Sequence, residues 1–186
     1  MQDQVAIPRR WSLVAGLLCC AGVSVALGVF GRVHAPIYAA LPTFGFSSTS
    51  TFKAWVGTMV LALAATQVVT ASWLYGRLPG VRAAPAWLGT AHRATGYTAF
   101  ALSLPVAAYC LYGFGFAPAP SSGRTLVHSL AGCAFYGAFA AKVLVVHTRR
   151  LPGWALPLAG AVLLTAVVGA WLTSALWLFG TLGLSR

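Results

Sequence analysis

Apolar residues come in five long runs, separated by breaks that are short, basic, or rich in proline, glycine and serine. The first run, Trp11 to Phe30, is uncharged and as a helix spans about 30 Å, enough to cross a hydrocarbon core. It is longer than the apolar stretch of a signal peptide and no clear A-x-A site follows it, so a retained helix is expected. Leu18, ahead of Cys19, is too bulky for a lipoprotein cleavage site. The four later runs predict helices over about 52–75, 86–114, 124–147 and 154–179, with the first over about 11–31. Pro105 should kink the third. The break 32–51 holds Pro36, Pro42 and Gly45, and its Tyr38, Phe44 and Phe46 suit a membrane interface. Trp154, Trp171 and Trp177 sit near the ends of the fifth run as candidate interface anchors. The predicted fold is all-α: a single integral membrane bundle of five transmembrane helices, with no internal repeat.

Composition sharpens that picture. Hydrophobic residues make up 59% of the 186 and charged residues 7%. Mean hydropathy is +0.83, outside the range of ordinary soluble domains. The net charge of +11 comes from twelve Lys and Arg against one acid, Asp3. The basic residues lie between apolar runs rather than in one patch, which argues for topology signals and against nucleic acid. Arg9, Arg10, Arg77, Arg82, Arg93, Arg149 and Arg150 fall on one side, and Arg32, Lys53, Arg124 and Arg186 on the other. The excess places the N-terminus in the cytoplasm. With no carboxylate side chain after residue 3, the usual proton carriers and cation rings of transporters and channels are missing. Cys19, Cys20, Cys110 and Cys133 lie inside apolar runs without C-x-x-C spacing and read as packing residues.

The candidate chemistry is in the histidines, which are costly in hydrocarbon unless partnered. His92 and His147 lie toward the cytoplasmic ends of helices three and four, and His128 toward the outer end of helix four. His34 follows helix one on the outer side. His128 and His147 are separated by roughly 28 Å of helix rise, so a single metal cannot take both. One site per layer is the simplest arrangement. Gly96, Ala99 and Ser103 continue a stripe from His92, with Cys110 further up, and Gly132, Phe135, Phe139 and Lys142 continue one from His128. Glycine one turn from a histidine leaves room for a flat macrocycle, although small residues also serve helix packing. Lys142, with Arg93 or Arg149, is a candidate partner for haem propionates, or a snorkelling cation. Zinc wants four ligands, whereas two imidazoles suffice for haem iron, so haem b in one or two copies is the cofactor expected. Thr66, Gln67 and Thr70 on helix two either bond between helices or line an interior path.

At H-R-A-T-G-Y (His92 to Tyr97) the chain resembles transmembrane b-type cytochromes of the ascorbate-reducible and ferric-reductase-like groups. That resemblance implies His92 as an axial ligand, Gly96 beside the ring and Arg93 near a propionate. About half the chain resembles an uncharacterised family of small five-helix bacterial membrane proteins. The matching stretches are Leu102 to Ala107, Val127 to Leu144, Leu151 to Pro157 and Trp171 to Trp177. Two-haem cytochromes spread paired histidines over four helices, whereas helices two and five here have none. The closer resemblance draws attention to Tyr109 and Cys110, where a histidine is expected of relatives. It implies Tyr109 facing the outer layer with His128. The function expected is a b-type cytochrome of the bacterial inner membrane, passing electrons from a quinol, a small reductant or a partner subunit. If it has an activity, that is a membrane oxidoreductase's. The rivals are a cofactor-free anchor or assembly subunit of a redox complex, and a small-solute carrier or channel.

Overall fold

The computed structural model describes residues 9–37, 41–117, 122–148 and 152–182. Asp3, Tyr38, Arg149, Arg150 and Arg186, used in the loop and charge readings above, lie outside them. Regular structure among the described residues is helical. The helices are α1 (Arg9–Val33), α2 (Thr49–Leu74), α3 (Leu88–Ala108), α4 (Gly123–Thr148), α5 (Ala155–Trp171) and α6 (Trp177–Leu182). Two π-helical segments interrupt this order, Tyr109–Phe114 after α3 and Leu172–Leu176 between α5 and α6. Counted through these segments, five helices are long and apolar enough to cross a membrane: Leu13–Val33, Thr49–Leu74, Leu88–Phe114, Gly123–His147 and Ala155–Leu182.

Local chemistry accounts for the ends and irregularities. α2 starts earlier than its apolar run because Ser48 caps it, its hydroxyl accepting from the Thr51 amide at 3.1 Å. Pro105 cannot donate to the preceding turn. Four residues later the Tyr109 amide is shared between the carbonyls of Pro105 and Val106, and the π segment begins. It stops at Gly115, whose φ of +70° disfavours other residues and whose added Cβ would lie 3.3 Å from the Gly31 carbonyl oxygen. Ending there lets the Phe116 amide donate to Gly31 at 2.7 Å, docking the end of α3 onto the end of α1.

In space the helices run α1, α4, α5, α2, α3, each packed on the next, and the π segment after α3 returns to α1. α1 and α4 meet over small residues: a Cβ on Gly137 would collide with the Ser24 hydroxyl and the Cys20 carbonyl. α3 and α4 are not a closely packed pair. Long side chains bridge them instead, with Phe100 stacked on Phe139 at 4.1 Å and the Tyr136 hydroxyl donating to the Ser103 carbonyl at 2.8 Å. The α1–α2 and α3–α4 connections share one end of the bundle, the upper end. There the Ile37 amide donates to the Tyr112 carbonyl, and the Tyr109 hydroxyl to that of Pro42. The best-buried apolar cluster, Phe52, Val56 and Tyr109, lies under this cover. Elsewhere the apolar side chains face outward: Leu17, Leu18 and Tyr97 are each about 70% exposed. A monomer in water rarely leaves so much apolar surface uncovered, and these helices are suited to contact a lipid bilayer.

Candidate ligand site in the bundle

The gap between α3 and α4 opens into a cavity of about 420 Å³, lined by residues of every long helix. That volume falls in the range of small-molecule and cofactor sites. His128 stands in its wall. The ring's Nδ1 lies 3.1 Å from the Ala170 carbonyl oxygen, which can only accept, so Nδ1 carries the proton. In the neutral ring Nε2 then has the lone pair, and it points to the Cys110 sulfur at 3.8 Å. Thr173 completes the support: its hydroxyl lies 3.4 Å from Nδ1 and donates to the Gly169 carbonyl at 2.6 Å. One turn along from His128, Gly132 lines the cavity with open space where a Cβ would stand.

Both π segments contribute to this wall, Cys110 and Phe114 from one, Thr173 and Ser174 from the other. Such segments recur at functional sites because the extra residue per turn turns side chains out of the regular α-helical register. Two cations also line the cavity. Arg124 donates to the Thr173 carbonyl at 2.6 Å and lies 3.9 Å from the centre of the Trp177 ring. Lys53 stands 4.0 Å over Phe114. Ring faces stabilise each cation where water is scarce, yet no carboxylate lines the cavity among the described residues. The site can hold an amphipathic molecule with an apolar body and one or two anionic groups.

The other predicted site residues are placed differently. His92 faces α2, its Nδ1 2.7 Å from the Thr70 hydroxyl. The Gln67 amide donates to the His92 carbonyl at 2.7 Å and to Thr95 at 2.6 Å. That amide takes the space beside Gly96, where a Cβ would sit 3.2 Å from its oxygen. His147 is exposed and bonds within α4 to the Val143 carbonyl at 2.8 Å. Among the described residues no contact joins it to His92. Arg93 is exposed beside Thr90, and Lys142 is half-buried on α4 away from the cavity lining. His34 stacks on Phe30 at 5.1 Å and meets the edge of Tyr112 at 5.2 Å. Its Nε2 is buried without a partner among the described residues, but it does not line the cavity. Tyr109 turns its hydroxyl to Pro42, so the residue facing His128 is Cys110, one position on. Trp171, expected at the interface, lines the cavity and donates to Thr58 at 2.9 Å.

Sequence reasoning missed Cys110, Lys53 and Arg124 as a group. Part of the signal was present in the two stripes, whose members Cys110 on α3 and His128 on α4 meet, but nothing in them pointed to Lys53 or Arg124. Among the described residues no three of His, Cys, Asp and Glu gather into a metal-binding group. No curated protein and no solved structure matches the chain, and the comparisons carry no likeness to cytochromes. The model of a family of unknown function, DUF6529, matches residues 13–186, and the chain belongs to that family.

Proposed function

We propose that the chain is a multi-pass protein of the cell membrane, its N-terminus cytoplasmic, that carries electrons within or across the bilayer on haem b held in the upper cavity. The observation that carries this reading is the state of His128: one ring nitrogen is held by the Ala170 carbonyl, and the other presents its lone pair to the cavity. A second-atom hydrogen bond of this kind fixes the tautomer and orientation of a metal-binding imidazole. The remaining features fit the same group. Gly132 leaves room against α4, Phe135 and Trp171 offer apolar walls, and Lys53 and Arg124 suit two propionates. Iron in a porphyrin needs only one or two protein ligands, consistent with a site that gathers no larger donor cluster.

Haem would supply one-electron chemistry there. The chain's own residues would orient the ring, neutralise its carboxylates and exclude water. A quinol, a small reductant or a partner subunit would supply the electrons, since the sequence has no flavin or nucleotide motif. The lower histidines support a second haem less well, because Gln67 occupies the place beside Gly96 and His147 does not meet His92. The same bonds use Gln67 and Thr70 as interhelical links, which weakens the carrier or channel reading.

The test is the visible spectrum of the protein purified from cells supplied with haem, before and after dithionite. A Soret band with a reduced α-band is expected. Their absence overturns the cytochrome reading and leaves the cofactor-free anchor in its place.

A further inference from the structure

We infer that Cys110 is the second axial ligand of the upper site, its sulfur binding the iron opposite His128 Nε2; this rests on the haem reading above. The two atoms stand 3.8 Å apart across the gap between α3 and α4, where the helices are joined by side chains rather than close backbone packing. Zinc–imidazole and zinc–thiolate bonds of about 2.0–2.1 Å and 2.3 Å set the scale, placing two in-line ligands of one metal ion about 4.3–4.4 Å apart. The present separation is thus short by only about half an ångström. The sulfur is carried by the π segment that begins at Tyr109, a kind of helical irregularity that recurs at functional sites.

Competing donors in this part of the bundle are worse placed. The Tyr136 hydroxyl donates to Ser103 and Tyr109 is committed to Pro42, while Cys133, though it lines the cavity, is on α4 with His128 itself and does not face it from α3. His34 is absent from the cavity wall. Charge agrees as well: an anionic sulfur is matched by a cavity whose charged lining residues, Lys53 and Arg124, are both cations. Binding replaces the S–H···N contact with one bond from each atom to iron and releases one proton to solvent.

The experiment titrates ferric protoporphyrin IX into the purified full chain in detergent, with Cys19, Cys20 and Cys133 replaced by alanine so that Cys110 is the one thiol. Electron paramagnetic resonance and optical spectra should show a six-coordinate low-spin ferric haem. Cys110→Ala should retain haem but shift it to a high-spin form, and Cys110→His should restore the low-spin form at a higher reduction potential. A small membrane-permeant thiosulfonate should modify Cys110 in the haem-free chain, and slow on the order of tenfold or more once the haem is bound, since only a free thiolate attacks. Haem bound through His128, with spin state and thiol reactivity indifferent to Cys110, overturns this inference and leaves the haem reading standing. No haem uptake by the unsubstituted chain overturns both.

Discussion

The lower end of the α2–α3 interface and the upper cavity both place a histidine among polar side chains inside an apolar bundle, yet they are built to opposite ends. Around His92 the polar groups answer one another. Gln67 spans to the His92 carbonyl and to Thr95, Thr70 takes the ring nitrogen, and the glycine beside them is covered by an amide. Around His128 a carbonyl holds one ring nitrogen, the Cys110 sulfur alone faces the other at the edge of a cavity, a bare glycine lies one turn along, and two cations stand without a carboxylate among the described residues. The first arrangement is complete without a ligand and holds two helices together. The second borders a cavity with room for an anionic, flat or amphipathic body. The two histidines differ in the space and charge that their neighbours leave beside them.

The strongest way to break this contrast is to remove one imidazole at a time. His128→Ala should abolish most of the Soret band, while His92→Ala should leave it in place. Loss of intensity in His92→Ala would establish a lower haem and erase the distinction. Nearly as large an effect is expected from filling the cavity. Gly132→Leu projects into open space and should gain about 1 kcal/mol of helix propensity, so haem should be lost while the thermal unfolding temperature holds or rises. A retained spectrum would show that the ligand sits elsewhere.

Smaller effects sharpen the other half of the comparison. Gln67→Ala removes both bonds to α3 and should cost about 1–2 kcal/mol in detergent unfolding, with the haem spectrum unaltered. Arg124→Gln and Lys53→Met, which keep much of each stem, should weaken haem retention a few-fold apiece, as expected of partly screened pairs worth about 0.2–1 kcal/mol. Apparent affinity for ferric protoporphyrin IX measures this, and a gain in affinity would exclude propionate contacts. His147→Ala, on an exposed ring bonded to its own helix, should change stability by no more than about 0.5 kcal/mol and leave the spectrum alone.

Much of the architecture was legible because membrane helices announce themselves by length and polarity. Five apolar runs correspond to the five helices long and apolar enough to span. The small and polar residues were legible as stripes, but the two stripes meet each other at Cys110–His128, while Ser103 and Phe139 meet Tyr136 and Phe100 outside them, and His92 and Gly96 face α2. The site itself was less so. Lys53 and Arg124 counted as topology charges, since their place near helix starts gives no hint that both border one cavity. Trp171 counted as an interface anchor, but its indole reaches inward to Thr58. Tyr109 and Cys110 were adjacent candidates, and only the helix's irregular course after Pro105 shows which of them turns toward His128.

By itself the sequence determined the class of fold, because the lengths of apolar runs and the placement of charge are properties of the chain read one segment at a time. It also narrowed the chemistry to imidazoles, since the chain offers almost no acids. Only the tertiary structure decided which histidine is spent on helix packing and which is left facing a cavity. That depends on partners far apart in sequence, such as Gln67 over Gly96 and Ala170 behind His128, and on a gap between α3 and α4 that no single helix encodes.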